Sequence, residues 1–274
     1  MSEILKAVVY GIVEGITEWL PVSSTGHMIL LEEIMPMDVS KEFWDMFLVV
    51  VQLGAILAVV LMFWKRIFPF HFDREEVVDW KIMNLWGKIL VACIPAAIVG
   101  VLFDDWLEEH LYNYRVVSVM LILVGIIFII VENHNKGVKP LIRTSGELTY
   151  KIVFLIGLFQ LVAAIFPGTS RSGATIIGAL MIGVSRTVAA EFTFYLAIPV
   201  MFGASLLKLL KFGFSFTGQE LGILITGMVV SFIVSVMVIR FLMGYIKKHD
   251  FKIFGWYRIV LGIAVLAYFG FIAG

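Results

Sequence analysis

Residues 13–27 read VEGITEWLPVSSTGH. Apolar residues flank this stretch on both sides, yet it carries Glu14, Glu18, His27 and the hydroxyls of Ser23, Ser24 and Thr25. The chain around it has 274 residues, 61% of them hydrophobic and 15% charged. A soluble domain is nearer ~45–50% apolar and ~25% charged. This composition belongs to a multi-spanning membrane protein. The formal net charge is zero, so nothing electrostatic favours nucleic acid or an acidic partner. Cys93 is the single cysteine, within ILVACIPAAIVG, and reads as a packing residue. The first residues, MSEILKAVVYGIVEG, lack a basic region and a small-residue cleavage site, so no removable signal peptide is expected.

Six apolar segments are long enough to cross a bilayer core: about 43–64, 82–103, 115–132, 189–210, 219–243 and 254–273. Two other apolar pairs are interrupted. Residues 4–20 and 24–35 are split by Pro21 and VSST, and residues 149–166 and 169–184 by Pro167 and GTSRSG. A break in hydrocarbon leaves backbone groups unpaired unless it is buried in protein or lines a cavity. Both pairs therefore read as re-entrant helical hairpins with tips inside the membrane, in preference to four ordinary helices with surface loops. The expected fold is an all-α integral membrane protein, six transmembrane helices plus two re-entrant hairpins, in one membrane-embedded domain over 1–274.

Loop charges suggest direction. Lys65, Arg66, Arg74 and Lys81 follow span one, Lys136, Lys139, Arg143 and Lys151 follow span three, and Arg240, Lys247, Lys248 and Lys252 follow span five. The loop after span two is acidic, with Asp104, Asp105, Glu108 and Glu109, and so is the segment before span one, with Glu32, Glu33, Asp38 and Glu42. The positive-inside rule puts the basic loops in the cytoplasm and both termini outside. Lys208 and Lys211 are exceptions.

The two broken pairs are also aligned with each other. GIVEGITEWLPVSSTGH from residue 11 lies over GLFQLVAAIFPGTSRSG from residue 157, matching Gly11 to Gly157, Pro21 to Pro167 and Ser24 to Ser170. After a three-residue slip, Glu42-Phe43 matches Glu191-Phe192 and Gly54-Ala55 matches Gly203-Ala204. Each half, about 4–132 and 149–273, holds one hairpin and three spans. Three is odd, so the halves are expected to be inverted in the membrane. Such repeats place a site near the midplane, where the breaks meet.

The first break carries acid–base groups. Glu14 and Glu18 are one helical turn apart on one face. Two carboxylates so close in a low dielectric need a shared proton, a cation or a basic neighbour. Pro21 ends that helix, and Ser23, Ser24 and Thr25 suit the start of the next, whose free N–H groups form an anion site. His27 lies in its first turn, where it is a candidate nucleophile, acid or base. The second break, PGTSRSGAT, has capping Thr169, Ser170 and Ser172, with Gly168 and Gly173 for close approach. Its Arg171 suits phosphate oxygens or an ion pair with Glu14 or Glu18. Helix N-termini, an arginine and a histidine suit a polyanion, and Glu14 and Glu18 suit a divalent metal, Mg2+ or Ca2+, bridging phosphate.

Other intramembrane polar residues are weaker signals. Gln52 either reaches the site or makes a structural hydrogen bond. Glu191 is expected to pair near the interface, Arg115 and Arg258 to snorkel at span starts, and Pro95 and Pro199 to kink their helices. The tryptophans, from Trp19 to Trp256, lie mostly near span ends, as an aromatic belt would.

EGITEWLPVSSTGH and PGTSRSGAT resemble the two signature motifs of the bacterial undecaprenyl-diphosphate phosphatases, also called bacitracin-resistance proteins. The likeness covers the full length, including QLGAILAVVLMFWKR and GVSRTVAAEFTFYLAIPVMFGA after each motif. The resemblance implies a multi-pass enzyme of the bacterial inner membrane that hydrolyses undecaprenyl diphosphate to the monophosphate. That reaction recycles the lipid carrier of cell-wall synthesis and confers resistance to bacitracin. The resemblance also implies catalytic roles for Glu14, Glu18, Ser24, His27 and Arg171, a periplasm-facing site, and Mg2+ or Ca2+. The partner is then a polyprenyl diphosphate, and a homodimer stays open. Ser24 or His27 attacks phosphorus, or water does so with His27 as base. Ser23, Thr25, Thr169, Ser170, Ser172, Gly173 and Gln52 would surround the diphosphate. The rival is a flippase or transporter of an anionic lipid, with a cation-coupled carrier behind it. Moving an anion does not require Glu14, Glu18 and His27 together, whereas metal or acid–base chemistry does.

Overall fold

The computed structural model describes residues 1–70 and 76–271. Arg74, and the side chains of Asp104, Asp105 and Glu108, lie outside the described residues. The chain runs as α1 (Glu3–Thr17), α2 (Ser24–Ile34), α3 (Lys41–Val50), α4 (Gln52–Ile67), α5 (Trp80–Leu111), α6 (Tyr114–His134), α7 (Tyr150–Ile165), α8 (Arg171–Met181), α9 (Arg186–Phe212), α10 (Gly218–Tyr245) and α11 (Lys252–Phe271).

Six stretches among the described residues are long and apolar enough to span, and they fall where the hydropathy pattern puts them. The first, Lys41–Ile67, combines α3 and α4, which meet at Val51. Pro199 sits at the corresponding level of α9 but leaves that helix continuous, as Pro95 leaves α5. One loop expectation fails. The acidic segment after span two is helical, because α5 runs on to Leu111 before Asn113 caps α6. No proline or glycine interrupts it after Gly100, and a helix needs no apolar residues once it has left the lipid.

Helices α2 and α8 have 11 residues each, α1 has 15 and α7 has 16. At 1.5 Å per residue, an 11-residue helix covers ~16 Å of a ~30 Å hydrocarbon core. These lengths are compatible with hairpins that turn back within the membrane. Helix pairing is compatible with the internal repeat too. Helix α1 packs on α10 and α7 on α5, α6 packs on α11, and α3 and α4 both pack on α9. Exchanging the halves maps each of these pairings onto another or onto itself.

Packing follows membrane rather than aqueous logic. On α10 the large apolar residues Ile225, Val229, Ile233, Met237 and Phe241 are exposed, while Gly227, Ser231 and Ser235 are buried. Lipid and core are equally apolar, so close backbone contact between small residues holds the helices together. Gly11 and Gly157 serve this. A β-carbon on Gly11 would stand 2.6 Å from Gly227 O on α10, and one on Gly157 would stand 2.4 Å from Ala92 O on α5. The obstacle in each case is backbone, which cannot swing aside. Gly157→Ala is therefore expected to cost about 1–3 kcal/mol. A lower thermal unfolding temperature of the purified protein in detergent checks this, and an unchanged temperature counts against the close approach.

Candidate active site

The two breaks come together. Helix α1 ends at Thr17, ahead of Pro21, with Glu18 still in helical geometry and its N–H on Glu14 O. Ser23 caps α2 by accepting from Gly26 N at 3.4 Å, and Ser170 caps α8 by accepting from Gly173 N at 3.2 Å. Both caps take the same rare backbone, with φ of 72° at Ser23 and 67° at Ser170. They are the only non-glycine residues at positive φ among those described. This corrects the alignment by one position. Ser23, not Ser24, is the counterpart of Ser170, and Gly26 that of Gly173, so the second break is one residue longer than the first. Identities around a proline anchor cannot show an insertion within a run of serines and threonines.

Glu18 is the hub. Its Oε1 accepts from Arg171 Nη2 at 2.7 Å, and its Oε2 accepts from Ser24 Oγ at 3.1 Å. Its backbone carbonyl accepts from Ser172 Oγ at 3.2 Å. A carboxylate from one half thus binds the other half's arginine and its own half's serine. Arg171 also donates from Nη1 to Thr193 O on α9 at 2.9 Å, which fixes the plane of its fork. Thr175 ties this in place, with Oγ1 2.9 Å from Arg171 O and 2.8 Å from Thr193 Oγ1.

A cavity of about 390 Å³ opens over this group. Glu18, Ser24, Thr25, Gln52, Ser170 and Arg171 line it, together with Asp45, Tyr112 and Lys208. It runs from the breaks towards the end of the molecule that carries Leu107 and Tyr112. Gln52 does reach this cavity while donating to Leu48 O at 3.4 Å, so both readings of it hold. Lys208, an exception to the loop-charge rule, faces the same space.

The remaining expected site residues stand behind the lining. Ser23, Thr169, Ser172 and Gly173 are buried in the breaks, and Glu14 is 1% exposed. His27 is not in the lining. Its Nδ1 lies 2.7 Å from Ser23 O and its Nε2 2.7 Å from Tyr257 Oη, with the two rings stacked. Since a carbonyl only accepts, Nδ1 carries a proton, and in the neutral ring Nε2 accepts from the tyrosine. His27 thus joins α2 to α11.

One expectation about charge is corrected. Arg258 does not snorkel. It is 0% exposed, with Nη1 donating to Pro21 O at 3.3 Å and Nη2 donating to Gly168 O and Thr169 O at 2.8 Å each. It sits six residues into α11, about 9 Å along the helix, and that depth was the available signal. Glu191 pairs as expected, with Arg66 at 2.6 Å, while Arg186 binds the fully buried Glu132. Trp19, too, is buried against Phe194 rather than part of a belt.

Metal chemistry can be tested on the donors. Among the described residues no three His, Cys, Asp or Glu side chains converge. Glu14 Oε1, however, is buried without a hydrogen-bond partner, one helical turn from Glu18. Mg2+ commonly takes one or two carboxylates plus substrate phosphate oxygens. Glu14 and Glu18 fit that donor set, provided the substrate supplies the rest.

Comparison with known proteins gives a consistent result. A family model described as "Bacitracin resistance protein BacA" matches residues 7–264. A protein named undecaprenyl-diphosphatase from Desulfitobacterium hafniense is 65% identical over 98% of this chain and 97% of its own. Undecaprenyl-diphosphatase 1 of Clostridium acetobutylicum is 61% identical, covering 97% of each chain. An undecaprenyl-diphosphatase of Enterococcus faecalis is 59% identical over 96% of each.

Proposed function

The chain belongs to the bacitracin resistance protein family, and from that membership we propose how its site performs the reaction. The enzyme hydrolyses undecaprenyl diphosphate to undecaprenyl phosphate and inorganic phosphate. This recycles the lipid carrier of cell-wall polymers and underlies bacitracin resistance. Family and relatives support this reading over lipid transport.

The observation that carries the mechanism is Glu18 held between Ser24 and Arg171 in a cavity wall. The diphosphate lies in that cavity, its prenyl tail leaving between helices. Arg171 and the free N–H groups of the first turns of α2 and α8 bind the phosphate oxygens. Glu18 Oε2 accepts the Ser24 proton as Oγ attacks the terminal phosphorus. The bond from that phosphorus to the bridging oxygen breaks, and undecaprenyl phosphate leaves with the electron pair. Glu18 passes that proton to the departing phosphate and then takes a proton from the water that attacks the seryl phosphorus. The bond to Oγ breaks, the proton returns to Ser24 and inorganic phosphate leaves. His27 acts through α2 rather than as nucleophile, since both ring nitrogens are engaged.

A divalent cation on Glu14 and Glu18 would neutralise diphosphate charge and polarise the terminal phosphoryl group. The two halves, about 4–132 and 149–273, form one domain as an inverted repeat, each contributing one break. The loop charges support a site facing outward from the bacterial cytoplasmic membrane, because the cavity opens beside the acidic end of α5.

Purified protein in detergent, given a polyprenyl diphosphate with and without Mg2+ or Ca2+, tests the whole reading. Phosphate release that falls at least about tenfold on chelation is expected. Undiminished release in chelator removes the metal from the scheme. No release under any condition, with lipid movement in liposomes, favours the transporter.

A further inference from the structure

Arg258 has no role in the scheme above, yet it is the cation most deeply enclosed by both breaks. It is fully buried, and among the described residues it pairs with no carboxylate. Its hydrogen-bond partners are backbone carbonyls, Pro21 O from the first break and Gly168 O and Thr169 O from the second. A buried guanidinium without a counter-ion is costly to solvate, so its position requires carbonyls held towards it. In a planar trans peptide the carbonyl and the following N–H point in opposite directions. Anchoring Thr169 O on Arg258 therefore turns the Ser170 N–H to the other side of the chain. Ser170 lines the cavity, and its N–H finds no acceptor among the described residues. The same residue is held at φ 67°, a conformation that persists only when its surroundings enforce it. In the first break the peptide after Pro21 already uses its N–H on Leu20 O. There Arg258 fixes the place of the turn rather than a donor.

We infer that Arg258 is a positioning residue, a clamp from α11 that seats both breaks on one cation and aims the Ser170 N–H at the phosphoryl oxygens. This role rests on the phosphatase reading. The N–H matters most when negative charge moves onto those oxygens in the transition state, so its loss shows in kcat more than in KM. Lysine keeps the charge but cannot reach carbonyls of both breaks with a planar fork.

The test uses the full-length protein in detergent with a polyprenyl diphosphate, comparing wild type, Arg258→Lys and Arg258→Gln. Thermal unfolding of each variant is followed in parallel, and rates are normalised to folded enzyme. Arg258→Lys is expected to lose about 100-fold in kcat, with KM within about threefold, and Arg258→Gln to lose more. Wild-type kcat in Arg258→Lys overturns the clamp. A rise in KM at unchanged kcat overturns it as well, by making Arg258 a binding charge. So does a kcat loss that disappears on normalisation, which leaves only a structural role. A wild type that releases no phosphate overturns the phosphatase reading, and this role with it.

Discussion

Ser24→Ala is expected to lower kcat by about a thousandfold or more while leaving KM for the lipid diphosphate nearly unchanged. The change removes one oxygen atom. It leaves the Glu18–Arg171 pair intact, because that pair uses Glu18 Oε1 and the serine uses Oε2. The cavity wall, the α2 cap on Ser23 and the free N–H groups also remain. What disappears is the atom positioned between a carboxylate base and the substrate space. A second measurement separates chemistry from positioning. Wild-type enzyme mixed with terminally labelled diphosphate and quenched in acid retains label on Ser24, and the variant does not. A variant that keeps a tenth or more of the turnover sinks the seryl-phosphate route. It transfers the role of Glu18 to the activation of water.

Arg171→Ala is expected to lower kcat/KM by about a thousandfold, with kcat lowered and KM raised. Arg171 contributes charge to the bound diphosphate and geometry to Glu18, whose Oε1 it holds at 2.7 Å. The side chains are 13% and 9% exposed, so this is a buried pair. Removing one partner leaves a buried charge uncompensated, which costs about 3–5 kcal/mol. Stability must therefore be measured alongside rate. Arg171→Lys is the informative companion, since it keeps a cation for Glu18. A point charge cannot serve Glu18 and Thr193 O together in the fixed plane of a guanidinium. It is expected to fold nearly as well as wild type and still lose at least about tenfold in kcat. Near-normal activity of Arg171→Ala, with the protein folded, would falsify the site.

Much of the architecture is legible before any coordinates. The spans are visible because lipid requires ~20 apolar residues in a row. The breaks are visible because proline, glycine and hydroxyls in such a run violate that requirement unless they are buried. The pairing of the two breaks through Arg171 and a glutamate also follows from charge alone. Which glutamate does not. Glu14 and Glu18 are equivalent on a helical wheel, and only the approach of α8 across the end of α1 assigns Arg171 to Glu18 and leaves Glu14 Oε1 without a partner.

His27 and Arg258 show the limit more sharply. A histidine in the first turn beside Ser24 reads as a candidate nucleophile, acid or base, and nothing in the sequence shows that its Nε2 meets Tyr257 of α11. An arginine near the start of the last span reads as an interface residue, but its guanidinium is enclosed by carbonyls from residues 21, 168 and 169. The amino-acid sequence by itself determined the helices, the two polar interruptions and the chemical groups they bring. Those are consequences of local composition against a uniform apolar solvent. The tertiary structure alone decided which oxygen meets which nitrogen, the one-residue difference between the breaks, and the seat of Arg258. Contacts between residues more than 80 positions apart depend on how the helices pack, and hydrophobicity, having no direction, does not specify that packing side chain by side chain.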